Sequence, residues 1–269
     1  MTEFETIRYD RVDHVGRLTL ARPAKRNAQN PLMWAELRRL GRELSADETL
    51  RCLVVTGQGS SFSAGIDLSE GLMGMVTGWT KRPVDQRSVD EGWTAATTFR
   101  WITQLACPSI AAVHGHAYGA GLQLALACDL RIFARDTRVG LTETRFGILP
   151  DMGATVRLPR IVGDSRAREL IFLGKVVDSD EALRIGLADS VVDDGALEQS
   201  VAEIAARLAS QPPLAVRGAK RAIDMAWTLD PDQAFKVAVE AQMSCLLSDD
   251  FKEAQRAALE GREPQWTGR

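Results

Sequence analysis

Ile110-Ala-Ala-Val-His-Gly-His-Ala-Tyr-Gly-Ala-Gly-Leu-Gln-Leu-Ala-Leu-Ala-Cys-Asp129 divides into three parts. Ile110 to Val113 is a short apolar strand. Gly115, Gly119 and Gly121 mark a turn. An apolar helix then runs to about Asp129. A glycine-rich turn between strand and helix lets backbone come close to a ligand. It also aims the unpaired N–H groups of the helix start, and the positive end of the helix dipole, at that ligand. From Ile102 to Cys128 there is no Asp, Glu, Lys or Arg. Gln104, Pro108, Gln123, two histidines and three glycines interrupt the run. It therefore reads as a strand and a helix buried on all sides, not as a membrane span.

Upstream lies a second loop of the same layout. Cys52–Thr56 is a continuous apolar strand of the kind found in a covered sheet. Gly57-Gln-Gly-Ser-Ser-Phe-Ser-Ala-Gly-Ile-Asp67-Leu follows it. Ser63-Ala64-Gly65-Ile66 in this loop and Gly119-Ala120-Gly121 in the other can each offer one backbone N–H to the same point. Removing one donor from such a pair, aimed at a developing oxyanion, costs about 10²–10³ in rate.

The chain begins with two candidate strands, Thr6–Asp10 and Val15–Ala21, joined as a hairpin through Asp13-His14. A polar loop, Arg22 to Pro31, leads into a helix with Asn30 as N-cap and Pro31 at its first position. Residues Ser69 to Asp90 pattern weakly, with Gly71, Gly74, Gly78 and Pro83, as a segment that lids a site does. Helix resumes over Gly92–Leu105. Strands are expected at Leu130–Ala134, Val139–Leu141 and Ser190–Val192. Thr142 to Gly153 is a loop with a helical turn. Helices are expected at Ala154–Ile161, Ser165–Leu173 and Ser179–Ile185. From Leu197 only helices fit: Leu197–Ser210, Leu214–Ala226, Pro231–Leu246 and Asp250–Leu259. The repeated order of strand, strand or loop, and helix predicts an α/β fold wound from one unit several times. Residues 1–196 form this core and 197–269 a helical region. The apolar faces of that region exceed what it can bury alone, which predicts packing against another subunit.

The composition sets broad limits. The 269 residues are 45% apolar and 26% charged, an ordinary globular profile. A net charge of −3 does not favour nucleic acid as a partner. Cys52, Cys107, Cys128 and Cys245 have no CxxC spacing and read as buried reduced thiols of a cytoplasmic protein. The N-terminal residues Met-Thr-Glu-Phe-Glu-Thr contain acids and no apolar run, unlike a signal peptide. His114-x-His116 alone is poor metal spacing, and no metal site is expected. Structural hydrogen bonds are expected for both histidines. No phosphate loop or dinucleotide fingerprint occurs.

Phe62-Ser-Ala-Gly-Ile-Asp67-Leu and Ala112 to Asp129 resemble the two signature segments of the enoyl-CoA hydratase/isomerase (crotonase) superfamily. Arg22-Pro-Ala-Lys-Arg-Asn-Ala28 resembles its N-terminal loop. Asp250-Phe-Lys-Glu and Leu259 to Pro264 resemble its C-terminus. The resemblance spans nearly the whole chain. It implies a crotonase-like spiral of ββα units with a C-terminal helical trimerisation region, assembled as a homotrimer or a dimer of trimers. It implies an acyl-CoA substrate in fatty-acid-type degradation, with coenzyme A carried in by the substrate and no separate cofactor. It makes the N–H groups of Ile66 and Ala120 an oxyanion hole that stabilises an enolate. Ala28, Ala64, Gly65, Asp67, Tyr118, Gly119 and Gln123 fall on its coenzyme A and substrate-binding positions. Lys25 or Arg26 would meet the phosphates, to which basic side chains are suited. Trp79, Trp93 and Trp101 would shape the acyl end.

The acid–base groups bear on the reaction. Hydratases of this family use two glutamates. The first falls at position 123, here Gln123, and an amide cannot exchange a proton at neutral pH. The second is kept as Glu143. Asp151 stands eight residues on (151 − 143 = 8), where dienoyl-CoA isomerases carry a second catalytic carboxylate. Two carboxylates at different depths of an apolar pocket can hold different protonation states. Glu143 and Asp151 are therefore expected to shift a double bond in an enoyl- or dienoyl-CoA. The alternatives are an enoyl-CoA hydratase with Glu143 working on water, dehalogenase-like or hydrolytic reactions, and a member that binds acyl-CoA without catalysis. Asp151 also fits a helix N-cap.

Overall fold

A computed structural model describes residues 4–69 and 96–269. Most of the weakly patterned segment, with Trp79, Trp93 and the start of the helix expected at Gly92, lies outside the described residues. Six strands form the main sheet: β1 (Ile7–Val12), β2 (Val15–Leu20), β3 (Cys52–Gly57), β4 (Ser109–Val113), β6 (Leu130–Ala134) and β9 (Ser190–Val192), in the order β1-β2-β3-β4-β6-β9. The β1/β2 hairpin is antiparallel and every later pair is parallel. The expected strands fall within two residues of the observed ones. A second sheet orders β5 (His116–Tyr118), β7 (Arg138–Gly140) and β8 (Val176–Asp178) as β5-β7-β8.

The chain alternates between the two layers as it winds. It runs through β4, β5 and then α3 (Ala120–Ala127), and next through β6, β7 and then α4 (Ala154–Val162). Earlier turns reach the second layer only through single bridges, Gln29 to Ile66 and Ser63 to Ala117. The second bridge places the two small-residue loops side by side, and the first sets the Arg22–Pro31 loop against them. α1 (Pro31–Ser45) starts as expected, with the Asn30 carboxamide oxygen accepting the Met33 N–H at 3.0 Å. α2 is Arg100–Gln104.

Alternation along the strands covers both faces of the main sheet. Leu53, Val55, Ala111, Val113 and Phe133 face the larger core beneath α1 and α3. Cys52, Val54, Ile110, Ala112, Ile132 and Ala134 face Leu197, Val201 and Ala205 of α7 (Leu197–Ala209). That two-sided cover explains the unbroken apolar run of β3. The first helix of the C-terminal region is therefore an outer layer of the sheet. α5 (Asp164–Phe172) and α6 (Ser179–Arg184) precede it, and α8 (Pro213–Met225), α9 (Pro231–Leu246) and α10 (Asp249–Glu260) follow.

Lys220 of α8 ties that region to the core. Its ammonium donates to the Asp129 carboxylate at 2.7 Å and to the Cys107 carbonyl at 2.9 Å. Phe235, Val239, Met243 and Leu247 are exposed on and just after α9. Cys52, Cys107 and Cys128 are buried free thiols, whereas Cys245 corrects the expectation of burial: it is half-exposed, because α9 leaves that side uncovered. Among the described residues no helix is long and apolar enough to cross a membrane.

Candidate active site

The small-residue loops meet at Gly65, Ile66 and Ala120. In the Gln29–Ile66 bridge, Gln29 N–H donates to the Gly65 carbonyl and Asp67 N–H donates to the Gln29 carbonyl, both at 2.7 Å. The Ile66 N–H is left facing away from Gln29. Ala120 is the first residue of α3, where an N–H has no partner within the helix. Neither N–H has an acceptor among the described residues. Gly65 makes the approach possible. Its φ is +94°, and a Cβ there would stand 2.7 Å from the Tyr118 carbonyl oxygen and 3.7 Å from the Ala120 nitrogen.

Side chains from the Arg22–Pro31 loop clamp this pair. The Gln29 amide donates to the Ala120 carbonyl at 3.2 Å, and its oxygen accepts the Trp34 indole N–H at 2.9 Å. Arg22 donates to the Ala28 carbonyl at 2.5 Å and pairs with Asp67 at 3.1 Å. Hydrogen bonds from Ser69, together with the Arg22 guanidinium, hold the Asp67 carboxyl below its usual range. Asp67 thus supports the loop from within it. Nothing in the local sequence pattern marks Gln29. Arg22 opens a quoted motif, yet its partner becomes visible only in three dimensions.

Lys25 and Arg26 are exposed at the rim of the same loop, and the Arg26 carbonyl accepts the Ala64 N–H at 2.8 Å. Ala28 and Ala64 are half-buried beside them. The Tyr118 ring packs 5.3 Å from the His116 ring. His116 meets the Ser61 hydroxyl at 3.2 Å and His114 meets the Gly59 carbonyl at 3.0 Å, the structural bonds expected of them. Among the described residues no group of three or more His, Cys, Asp or Glu could hold a metal ion.

Glu143 opens a 3-10 turn, Glu143–Phe146, and is buried. A Cβ on Gly119 would lie 3.3 Å from its Oε1, so the residue before Ala120 leaves the carboxylate uncovered on that side. Gln123 Nε2 donates to Oε1 at 2.8 Å. Oε2 is buried with no partner among the described residues. Burial pushes the Glu143 carboxyl above its usual range, against backbone and Gln123 hydrogen bonds that pull it down, and the nearby Asp151 charge adds to the rise.

Gln123 is oriented by α4. The Ala154 N–H donates to its Oε1 at 3.3 Å, so its NH₂ must face Glu143. This corrects the N-cap reading of Asp151. Gly153, with φ +112°, occupies the cap position, and the buried Gln123 amide satisfies the helix start. Asp151 lies in the turn before α4, exposed to solvent where it lines a cavity, and partial desolvation there raises its carboxyl above the usual range. Gln123→Glu would put two carboxyls in contact, and such a pair shares one proton. The pH at which turnover rises should then move upward. An unchanged pH–rate profile in this variant would show that the contact does not govern Glu143.

The two-layer spiral of strands and helices is the crotonase fold. The chain belongs to the enoyl-CoA hydratase/isomerase family, whose sequence profile matches residues 10–269. It is 34% identical to crotonyl-CoA hydratase of Syntrophomonas wolfei subsp. wolfei, covering 97% of each chain. It is 35% identical to 1,2-epoxyphenylacetyl-CoA isomerase of Escherichia coli, covering 94% of each. Among solved structures it is similar to an enoyl-CoA hydratase from Bacillus anthracis, with a TM-score of 0.88 and 34% identity over 98% of this chain and 100% of that one. The family places it among enzymes acting on acyl-CoA thioesters.

Proposed function

We propose that the protein moves a double bond in an unsaturated acyl-CoA. The Ile66 and Ala120 N–H groups bind the thioester oxygen and stabilise the enolate that forms when a carbon-bound proton leaves. Glu143 Oε2 takes that proton. Either Glu143 itself returns that proton further along the conjugated chain, or the carboxyl of Asp151 donates one there, after which Glu143 releases its proton to solvent and Asp151 regains one from it. The reading rests above all on the Glu143–Gln123 contact. One carboxylate oxygen is occupied by a group that cannot exchange protons, and the other is buried, unpartnered among the described residues and near Gly119, the residue before Ala120. An enolate held this way needs no metal or redox cofactor. Ala28, Ala64, Gly65 and the rim cations Lys25 and Arg26 would hold coenzyme A, and Tyr118 and Gly119 would border the acyl group. The exposed apolar side chains of α9 support a homotrimer or a dimer of trimers.

Relatives named hydratases favour a second reading, in which Glu143 alone activates water on a 2-enoyl-CoA. Incubation with 2-enoyl-, 3-enoyl- and 3,5-dienoyl-CoA esters separates the two. The expected result is a product of unchanged mass from the 3-enoyl or dienoyl ester. A gain of one water from the 2-enoyl ester, with no isomerised product, would establish the hydratase instead.

A further inference from the structure

Beside Asp151 lies a cavity of about 900 Å³ that opens to solvent. Phe99, Ala127, Met152 and Val156 give its nearer wall an apolar surface. Ala127 lies one turn past Gln123 on α3, and Asp151 is within electrostatic reach of Glu143. Of the two carboxylates Asp151 lines the cavity and Glu143 does not, so the cavity begins at Asp151. Its lining also carries cations, Arg100 from α2, Arg157 and Arg160 from α4, and Arg217, Lys220 and Arg221 from α8. Asp224 is the acid among them. Lys220 is committed to Asp129, and Arg217 donates to the Glu48 carbonyl. Arg157 donates its Nε to the Leu126 carbonyl, and Arg160 stacks over Trp227 at 5.0 Å. Among the described residues Arg157, Arg160 and Arg221 form no ion pair with a carboxylate. One Asp224 cannot neutralise all three. An apolar passage ending in excess guanidinium suits a chain with an anionic tip, because guanidinium binds carboxylate through paired charge-assisted hydrogen bonds.

We propose that this cavity receives the far end of the acyl group, and that the preferred substrates are acyl-CoA thioesters whose acyl chain ends in a carboxylate. The inference rests on the reading of Glu143 and Asp151 as the acyl side of the site. Saturated thioesters can be neither isomerised nor hydrated, so binding tests it apart from the reaction. Titration calorimetry would compare alkanoyl-CoA esters with ω-carboxyalkanoyl-CoA esters of equal length, from about six to twelve carbons, the range of ligand sizes such a cavity takes. At the length that spans the cavity, the ω-carboxy ester should bind about tenfold tighter. The Arg160→Gln/Arg221→Gln double variant should lose that preference and keep its affinity for the alkanoyl ester. Equal affinities at every length would overturn the proposal, as would a preference that survives in the variant. So would an equal loss of affinity for coenzyme A alone, which would assign these cations to its phosphates. A melting curve matching the parent protein confirms that the variant is folded.

Discussion

Glu143→Gln should leave a folded protein that binds acyl-CoA and shifts double bonds about 10²–10⁴-fold more slowly, the range lost with a general base. The glutamine keeps an acceptor for Gln123 Nε2 and nearly the same volume, so the neighbouring backbone need not move. What it lacks is a proton-accepting oxygen at the position of Oε2. Turnover measured on the best ester of the panel checks this, and a variant as fast as the parent would remove Glu143 from the chemistry. The same substitution should alter stability in the opposite direction. The folded-state pKa of Glu143 is raised, chiefly by burial. Ionising it thus weakens the folded state as pH climbs from the unfolded carboxyl value through the folded one. The variant escapes that cost. Its advantage in denaturant midpoint should be greatest above the raised folded value and vanish below the ordinary carboxylate range. A variant less stable at every pH would show that the lost carboxylate contacts outweigh its desolvation.

Gly65→Ala should lower turnover by about 10²–10³, the effect of removing one oxyanion donor, while the fold persists. At φ +94° an L side chain is strained, and the new Cβ would sit 2.7 Å from the Tyr118 carbonyl oxygen, which is backbone and cannot swing aside. The loop must retreat from β5, and the Ile66 N–H moves with it. The strain should also cost about 1–3 kcal/mol of stability. Gly147→Ala provides the control, since φ there is +73° but nothing lies within 4 Å of its Cβ position. It should lose stability and little activity. If both variants slow turnover alike, the loss comes from backbone strain and the donor geometry is not its source.

The sequence was most informative where a segment carries its own periodicity or cap. Asn30 with Pro31 located the start of α1, and the apolar runs located β3 and β4 within a residue or two. β5 was read as part of a turn. Its three residues, His116 to Tyr118, are strand only because β7 and Ser63 lie alongside, and neither neighbour is local. β8 was overlooked for the same reason. At the site, the resemblance pointed to Ile66, Ala120, Gln123 and Glu143. It could not show that the Gln123 amide is oriented by the Ala154 N–H, thirty-one residues away, or that Gln29 holds the Ala120 carbonyl. Such contacts depend on how the layers stack, and residue type alone leaves them open.

The burial of three thiols against one half-exposed thiol gives the molecule a built-in reporter. Burial pushes the Cys107 and Cys128 thiols up to about 11 and about 12, and Cys52 upward as well, so these stay protonated and shielded from alkylating reagents. Cys245, on the apolar helix α9, is the accessible one. A maleimide dye should label the native chain at that position alone, with no mutagenesis. Assembly through the apolar side of α9 should slow that labelling, so its rate would record association of the chains.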